Sequence, residues 1–269
     1  MNAHSLTEEN YFSPENELRY MGVSQYKAFR KCPACALAAV KGEYVRPKTI
    51  ALSLGSYVDA HFSGTMALFR AQNPDIFKKD GSLKSDFEKA NGIISRIESQ
   101  PLLVSLLSGE KQVIMTGVIA GIEVKIKIDS LLNDRIVDLK LMRDFEDIYV
   151  EEQGRLPWYE AWGYDIQGAV YREIVRQNTG RVLPFTLVAA TKEDEPDMDA
   201  LELPQTLLDY ELERFISDAP TFDAIKHGVF APERCEKCAY CRATKRITEI
   251  RQIEDENEES EESESEGAA

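Results

Sequence analysis

The sequence lacks the features of membrane and secreted proteins. It contains no run of 18 or more apolar residues, and its N-terminal segment has neither the basic region nor the apolar core of a signal peptide. Cysteine is scarce, at five in 269 residues, which excludes a small scaffold held together by disulfides. We therefore expect a soluble, intracellular protein that has no membrane partner.

Positive charge is also scarce. The 32 Lys and Arg residues are outnumbered by 47 Asp and Glu residues, so the net charge is -15, which argues against non-specific nucleic-acid binding through overall charge. Residues 251–269 hold nine of the acidic residues, one arginine and no aromatic residue, and we predict that they form a disordered acidic tail. We expect one main domain at 23–250, preceded by an N-terminal extension at 1–22.

The hydrophobic periodicity changes along the chain. It predicts two short helices over 23–40 that meet at Pro33, and then further helices at 50–72, 84–107 (broken at Pro101), 157–180 and 203–217. A period of two predicts sequential strands at 112–119, 122–132 and 135–141, and a buried strand at 184–191. This order predicts a mixed α/β fold in which helices flank a small sheet.

The segment 125–141 carries the clearest chemical signal. If Asn133-Asp134 is a two-residue turn, Asp129 faces Asp138, and Lys140 shares the face of Asp138. Opposed carboxylates destabilise a hairpin unless a cation lies between them, and hard oxygen ligands suit Mg²⁺ or Mn²⁺. Lys140 is then placed to activate a water or to stabilise charge on a phosphate. The alternative is a solvated charged face.

Gln167 and Tyr171 follow on the predicted helix at 157–180. Their i, i+4 spacing places both on one helix face. An amide and an aromatic ring suit contacts to a nucleotide phosphate or base, which predicts DNA binding by this pair. The alternative is a polar flank of the helix.

Four segments in this order carry a family resemblance: GSYVD at 55–59, KIDSLL at 127–132, DLK at 138–140 and QGAVY at 167–171. Together they resemble the motifs of RecB-type nucleases of the PD-(D/E)XK superfamily, and most closely those of phage-encoded RecE-like (exonuclease VIII-like) proteins. The resemblance implies a PD-(D/E)XK core in which Asp129, Asp138 and the Leu139 carbonyl bind the metal, Lys140 is catalytic, and Gln167 and Tyr171 form the Q-x-x-x-Y element.

One position departs from the family pattern. Such nucleases often carry a histidine four residues after the first-motif glycine, where this chain has Asp59. The Asp59 carboxylate is still able to bind a metal, so we predict it as the third ligand. His61, two positions on, is predicted to be an ordinary residue of the helix face.

The five cysteines form two groups, at 32–35 and 235–241. The run Cys235-x-x-Cys238-x-x-Cys241 is typical of a [4Fe–4S] cluster, and Cys32, which precedes a proline, is the natural fourth ligand. The pattern is similar to that of several RecB-type nucleases, in which one early and three late cysteines clamp the N- and C-terminal segments of the domain together. A structural Zn²⁺ site made of Cys32, Cys35, Cys235 and Cys238 is the alternative.

Two functions from different classes remain open. The first is a divalent-metal-dependent DNA exonuclease that acts on linear double-stranded ends in phage-type recombination or DNA-end processing. The family resemblance implies that such an exonuclease is located in the cytoplasm of a bacterium or of a phage-infected host cell. It also implies a single-strand annealing protein as a partner. The second is a non-catalytic, cysteine-clamped DNA-end-binding or adaptor protein, which Asp59 in place of histidine favours.

Overall fold

A computed structural model describes residues 6–45, 47, 49–151 and 153–250, without the side chain of residue 86. The predicted acidic tail at 251–269 lies outside the described residues. The chain divides into two compact units, Met1–Cys235 and Glu236–Ala269. In the described part of the chain, no helix is long and apolar enough to cross a membrane.

Helices precede and follow the central strands. The helices of the first unit are α1 Pro14–Arg19, α2 Val23–Lys31, α3 Pro33–Val40, α4 Ile50–Ser63, α5 Met66–Gln72, α6 Ser85–Glu98, α7 Pro101–Leu106, α8 Trp158–Ala161, α9 Tyr164–Thr179 and α10 Gln205–Lys226, with a 3-10 turn at Pro74–Ile76. The second unit contains α11 Ala239–Ala243. The strands are β1 Met21–Gly22, β2 Glu110–Ile119, β3 Ile122–Leu131, β4 Ile136–Met142, β5 Ile148–Val150, β6 Gly154–Leu156, β7 Phe185–Thr191 and β8 Met198–Glu202.

A six-stranded mixed sheet forms the centre of the first unit. β2 pairs antiparallel with β3, β4 runs parallel to β7, and β8 closes the far edge antiparallel to β7. The β3–β4 hairpin pairs Ser130 with Val137 and Leu131 with Ile136, which is the predicted register around the Asn133-Asp134 turn. β5 and β6 form a separate two-stranded hairpin.

Apolar helix faces cover the sheet in two clusters. Ile166 and Val170 of α9 belong to one cluster, together with Ile126 of β3. Val58 of α4 and Ile93 of α6 belong to the other, together with Val137 and Val188 of the sheet. All of these side chains are buried. The predicted fold class, a small mixed sheet flanked by helices, is confirmed.

Two predicted helices are interrupted by left-handed glycines. The helix predicted over 50–72 ends at Gly64, whose φ is 76°, and restarts as α5. The helix predicted over 157–180 is broken at Gly163, whose φ is 66°, into α8 and α9. Glycine adopts this conformation without steric cost, so each break follows local backbone chemistry that the apolar periodicity did not show. The two short helices predicted over 23–40 do meet at Pro33, because its missing N–H is tolerated at a helix start.

The sequence prediction also missed shorter elements. The helix predicted at 203–217 extends to Lys226 as α10, and β5, β6 and β8 were not predicted. Strands of three to five residues are too short for a period of two to stand out.

Part of the predicted N-terminal extension is built into the sheet. β1 runs parallel to β3, pairing Met21 with Val124 and Gly22 with Lys125. The buried Lys125 ammonium lies 2.7 Å from the Glu17 carboxylate and donates a hydrogen bond to the Tyr11 carbonyl. A buried charge is tolerated only with such partners, so this contact fixes the segment around Tyr11 on β3.

Two helix glycines differ in the space around them, and this difference predicts opposite effects of alanine on stability. A Cβ at Gly168 would lie 2.6 Å from Phe185 Cδ1, whereas a Cβ at Gly92 in α6 would meet nothing within 4 Å. Gly168→Ala should therefore lower the free energy of unfolding by about 1–3 kcal/mol. Gly92→Ala should raise it by about 0.5–1 kcal/mol, through helix propensity. Urea unfolding measures both, and equal effects of the two substitutions would contradict the packing of α9.

Candidate active site

An opening in the sheet at one edge of β3 positions the candidate residues. β2 pairs with one edge of β3 from Ile122 to Leu131, except at Asp129, which has no partner in the register. On the other edge β1 pairs only with Val124 and Lys125, and β4 only with Ser130 and Leu131. The stretch 126–129 therefore has no strand partner on this edge among the described residues. Its backbone groups need hydrogen-bond partners of another kind, because unpaired buried groups are costly.

Side chains bridge the opening. The Tyr171 hydroxyl donates to the Lys127 carbonyl at 2.9 Å, and the Leu139 N–H donates to Asp129 Oδ2 at 3.0 Å. The Asp129 side chain thus lies where a ladder hydrogen bond between β3 and β4 would otherwise form. The predicted register holds for the pairs nearest the turn, but it ends at Ser130 and Val137, so Asp129 and Asp138 are not paired across the strands.

Asp138 is the most tightly held of the candidate residues. Its side chain is 2% exposed, its Oδ2 lies 2.5 Å from the Lys140 ammonium, and its Oδ1 accepts a hydrogen bond from Gln167 Nε2 at 2.7 Å. Burial lowers the pKa of Lys140, but Asp138 and then Asp129 outweigh it, and the pKa is raised. Lys140 is therefore a cation held beside the carboxylates.

Gln167 and Tyr171 are placed by one turn of α9. Both side chains are buried, and their hydrogen bonds go to Asp138 and to the Lys127 carbonyl. They also line the smaller of two cavities at the site. Direct contact of this pair with DNA stays a prediction, since these two hydrogen bonds orient the protein's own groups.

Two cavities meet at Asp129 and Lys140. The larger, of about 690 Å³, is also lined by Asp59 and Leu139, and the smaller, of about 270 Å³, by Asp138. Every residue proposed from the sequence as a ligand of Mg²⁺ or Mn²⁺ thus borders one cavity or the other. Asp59 reaches the site from α4. This helix ends at Ser63, nine residues before the end predicted from the sequence.

The electrostatics of this donor set suit a cation. Burial and the neighbouring Asp138 raise the pKa of Asp129 well above its ordinary value. Burial also raises the pKa of Asp59, with Asp138 adding to the shift against the opposing effect of Lys127. Carboxylates that crowd one another in this way are relieved by a divalent ion, and oxygen donors are those that Mg²⁺ and Mn²⁺ prefer. The residues present therefore fit the metal that the sequence predicts.

His61 lies away from this set. Its ring is exposed, and its Nε2 lies 2.8 Å from Glu98 Oε1 on α6. This contact agrees with the predicted role of His61 as a residue of the helix face.

Sequence reasoning missed several residues that border the site. Tyr164 lies beside two lysines. The centroid of its ring is 5.0 Å from the Lys140 ammonium and 5.1 Å from the Lys27 ammonium. Tyr11 and Phe12 line the smaller cavity from the N-terminal segment. The G-Y that opens α9 was a usable signal for Tyr164, but only the fold brings residues 11, 12 and 27 to this place.

Cysteine pairs lie close together within each unit. The sulfur atoms of Cys32 and Cys235 lie within 4.8 Å of each other in the first unit, and those of Cys238 and Cys241 do so in the second. The Ala34 N–H donates to the Glu233 carbonyl at 2.9 Å, beside Cys32 and Cys235 in the sequence. Cys35 is buried in α3 and belongs to neither pair.

Comparison with known proteins bears on the same region. Residues 22–244 match the family described as "PDDEXK-like domain of unknown function (DUF3799)". The crystal structure of a "Putative exonuclease" from Eubacterium rectale is 40% identical in sequence, covers 93% of this chain and 97% of its own, and superposes with a TM-score of 0.88. No curated protein matches the chain significantly.

Proposed function

This chain belongs to the family of PDDEXK-like domains, and from that premise we propose that it is a divalent-metal-dependent DNA exonuclease. Family membership and the name of the similar Eubacterium rectale protein together support a nuclease. The observation that carries the proposal is the grouping of Asp129, Asp138 and Lys140 at the opening in the sheet, where Gln167 holds Asp138. A lysine and two carboxylates that border the two cavities, with the pKa values of Lys140 and Asp129 shifted by their neighbours, are typical of a functional site.

The residues of the site have different proposed roles in hydrolysis. Asp129, Asp138, Asp59 and the Leu139 carbonyl would hold Mg²⁺ or Mn²⁺. When bound, the ion supplies a Lewis acid for the phosphodiester and lowers the pKa of water. Gln167 fixes the orientation of the Asp138 carboxylate through its 2.7 Å hydrogen bond. The Lys140 ammonium, already paired with Asp138, is placed to stabilise the negative charge that develops on the phosphate during hydrolysis.

The biological setting follows from the same proposal. An exonuclease that acts on linear double-stranded ends exposes single strands, which suits a role in phage-type recombination or DNA-end processing. A single-strand annealing protein would be the partner that takes up this product. The competing function, a non-catalytic protein that binds DNA ends, predicts binding without degradation.

Degradation of linear double-stranded DNA tests the proposal. Wild-type protein should degrade it with Mg²⁺ or Mn²⁺ and not with EDTA. Asp138→Ala and Lys140→Ala should each lower the rate by about a hundredfold or more, because the first removes a ligand of the metal ion and the second removes a cation beside the reacting phosphate. Asp138→Asn provides a variant of unchanged size, and circular dichroism checks that each variant is folded.

A second Asp–Lys pair provides the matched control. Lys89 and Asp194 form an exposed ion pair of 2.6 Å that borders neither cavity. Lys89→Ala and Asp194→Ala should therefore leave the rate unchanged, since exposed pairs contribute little. Wild-type activity in Asp138→Ala would refute the nuclease, and DNA-end binding without degradation by the wild type would favour the adaptor.

The proposal includes a structural metal centre at Cys32, Cys235, Cys238 and Cys241. The spacing of the three late cysteines supports a [4Fe–4S] cluster. The sulfur distances within each pair, at most 4.8 Å, also support Zn²⁺, because thiolates at about 2.3 Å from one ion lie close together. Either centre would stabilise the fold and take no part in hydrolysis.

Metal analysis of anaerobically purified protein separates the two centres. A cluster predicts brown protein with iron and acid-labile sulfide, and the alternative predicts colourless protein with one equivalent of zinc. Cys241→Ser should release either metal and destabilise the protein. Cys35→Ser is the control and should retain the metal, because Cys35 lies outside the group of four. Metal loss in Cys35→Ser with retention in Cys241→Ser would overturn this ligand set.

A further inference from the structure

The smaller cavity lies next to the candidate catalytic residues and is bordered on one side by the N-terminal segment. Lys125, Lys127 and Asp129 alternate along β3, and all three line it. Tyr11 and Phe12 line it as well, from outside the sheet. Its volume of about 270 Å³ is just below the lower end of small-ligand pockets, at about 300 Å³, which leaves room for one nucleotide rather than for a continuing strand.

The wall formed by the N-terminal segment is fixed in place. Tyr11 is 7% exposed, its carbonyl accepts a hydrogen bond from Lys125, and the Lys125 ammonium lies 4.5 Å from the centroid of the Tyr11 ring. Glu17 completes the anchor through its 2.7 Å ion pair with Lys125. Lys125 is therefore used to hold the wall and is not available to a substrate.

Phe12 differs from Tyr11 in being open to solvent. Its side chain is 70% exposed, although its ring packs edge-on against Tyr11 at a centroid distance of 4.8 Å. The Lys127 ammonium lies 5.6 Å from the centroid of the Phe12 ring. An exposed aromatic ring beside a cation, both bordering one cavity, is the combination that binds a base by stacking and its phosphate by charge.

The other side of the carboxylates has a different character. The larger cavity, of about 690 Å³, is lined by the exposed Arg143 and Trp162 and by Lys192. Its size and its cations suit a longer stretch of polynucleotide. The site therefore has a large basic side and a small side that ends at an aromatic wall, and the carboxylates lie between them.

We propose that the smaller cavity receives the terminal nucleotide of a DNA strand, with its base stacked on Phe12 and a phosphate beside Lys127. The wall at Tyr11 and Phe12 stops the strand from continuing, so that cleavage depends on a free end. This inference rests on the proposed nuclease function and names the residues that would make the enzyme an exonuclease. Phe12 is a specificity-determining residue and takes no part in the chemistry.

Binding without catalysis tests the inference. The probe is a linear DNA duplex with 2-aminopurine at the terminal nucleotide, added to full-length protein in EDTA, and the readouts are quenching of its fluorescence and the dissociation constant. Wild-type protein should quench the terminal base and bind linear DNA more tightly than a closed circle of the same length. Phe12→Ala should abolish most of the quenching and weaken end binding about fivefold or more, the loss of one stacked base.

Two further variants keep the result interpretable. Phe12→Trp retains an aromatic ring and should preserve quenching. Phe230→Ala removes another exposed phenylalanine, 55% exposed and outside both cavities, and should behave like wild type. Phe12 is exposed, so Phe12→Ala should fold normally.

Equal quenching and equal affinity for wild type and Phe12→Ala would overturn the inference, and so would equal affinity of the wild type for linear and circular DNA. Failure of the underlying nuclease proposal would be recognised separately. It would show as absence of metal-dependent degradation by the wild type, a measurement that does not involve Phe12.

Discussion

The site depends on the separation of β3 from β4 beyond Ser130 and Val137. Up to that pair the two strands form an ordinary hairpin. Beyond it the Asp129 carboxylate accepts a hydrogen bond from the Leu139 N–H, and the Tyr171 hydroxyl donates one to the Lys127 carbonyl, in place of the bonds that a neighbouring strand would have made. This substitution costs regular sheet structure, and in return it places polar side chains at the centre of a buried sheet. Asp129 and Lys140 border both cavities because the strands separate at this point.

The charges at the opening are only partly balanced by the protein. Asp138 has Lys140 and Gln167 as partners, whereas Asp129 has the Leu139 N–H and lies near two other carboxylates. Removing Asp129 and removing Asp138 are therefore different changes. Loss of Asp138 leaves the half-buried Lys140 ammonium without its anion, while loss of Asp129 relieves repulsion.

Much of the sheet and of the carboxylate site could be predicted, because both are encoded locally. The two-residue turn at Asn133-Asp134 fixes the hairpin register, and the i, i+4 spacing puts Gln167 and Tyr171 on one face of α9. The breaks at Gly64 and Gly163 could have been found from glycine's preference for left-handed backbone. The role of Tyr11 and Phe12 could not, because it depends on a contact with Lys125 across more than a hundred residues.

Thermal unfolding of wild type and Asp129→Asn, with and without Mn²⁺, tests most directly whether the opening is built for a cation. The asparagine keeps the shape of the side chain and removes one negative charge. If the opening is a cation site, Asp129→Asn unfolds at a higher temperature than wild type in EDTA. Saturating Mn²⁺ then raises the unfolding temperature of wild type and leaves that of Asp129→Asn nearly unchanged, since an ion stabilises only the state that binds it. An equal rise in both proteins, or no rise in either, would contradict a metal site at Asp129.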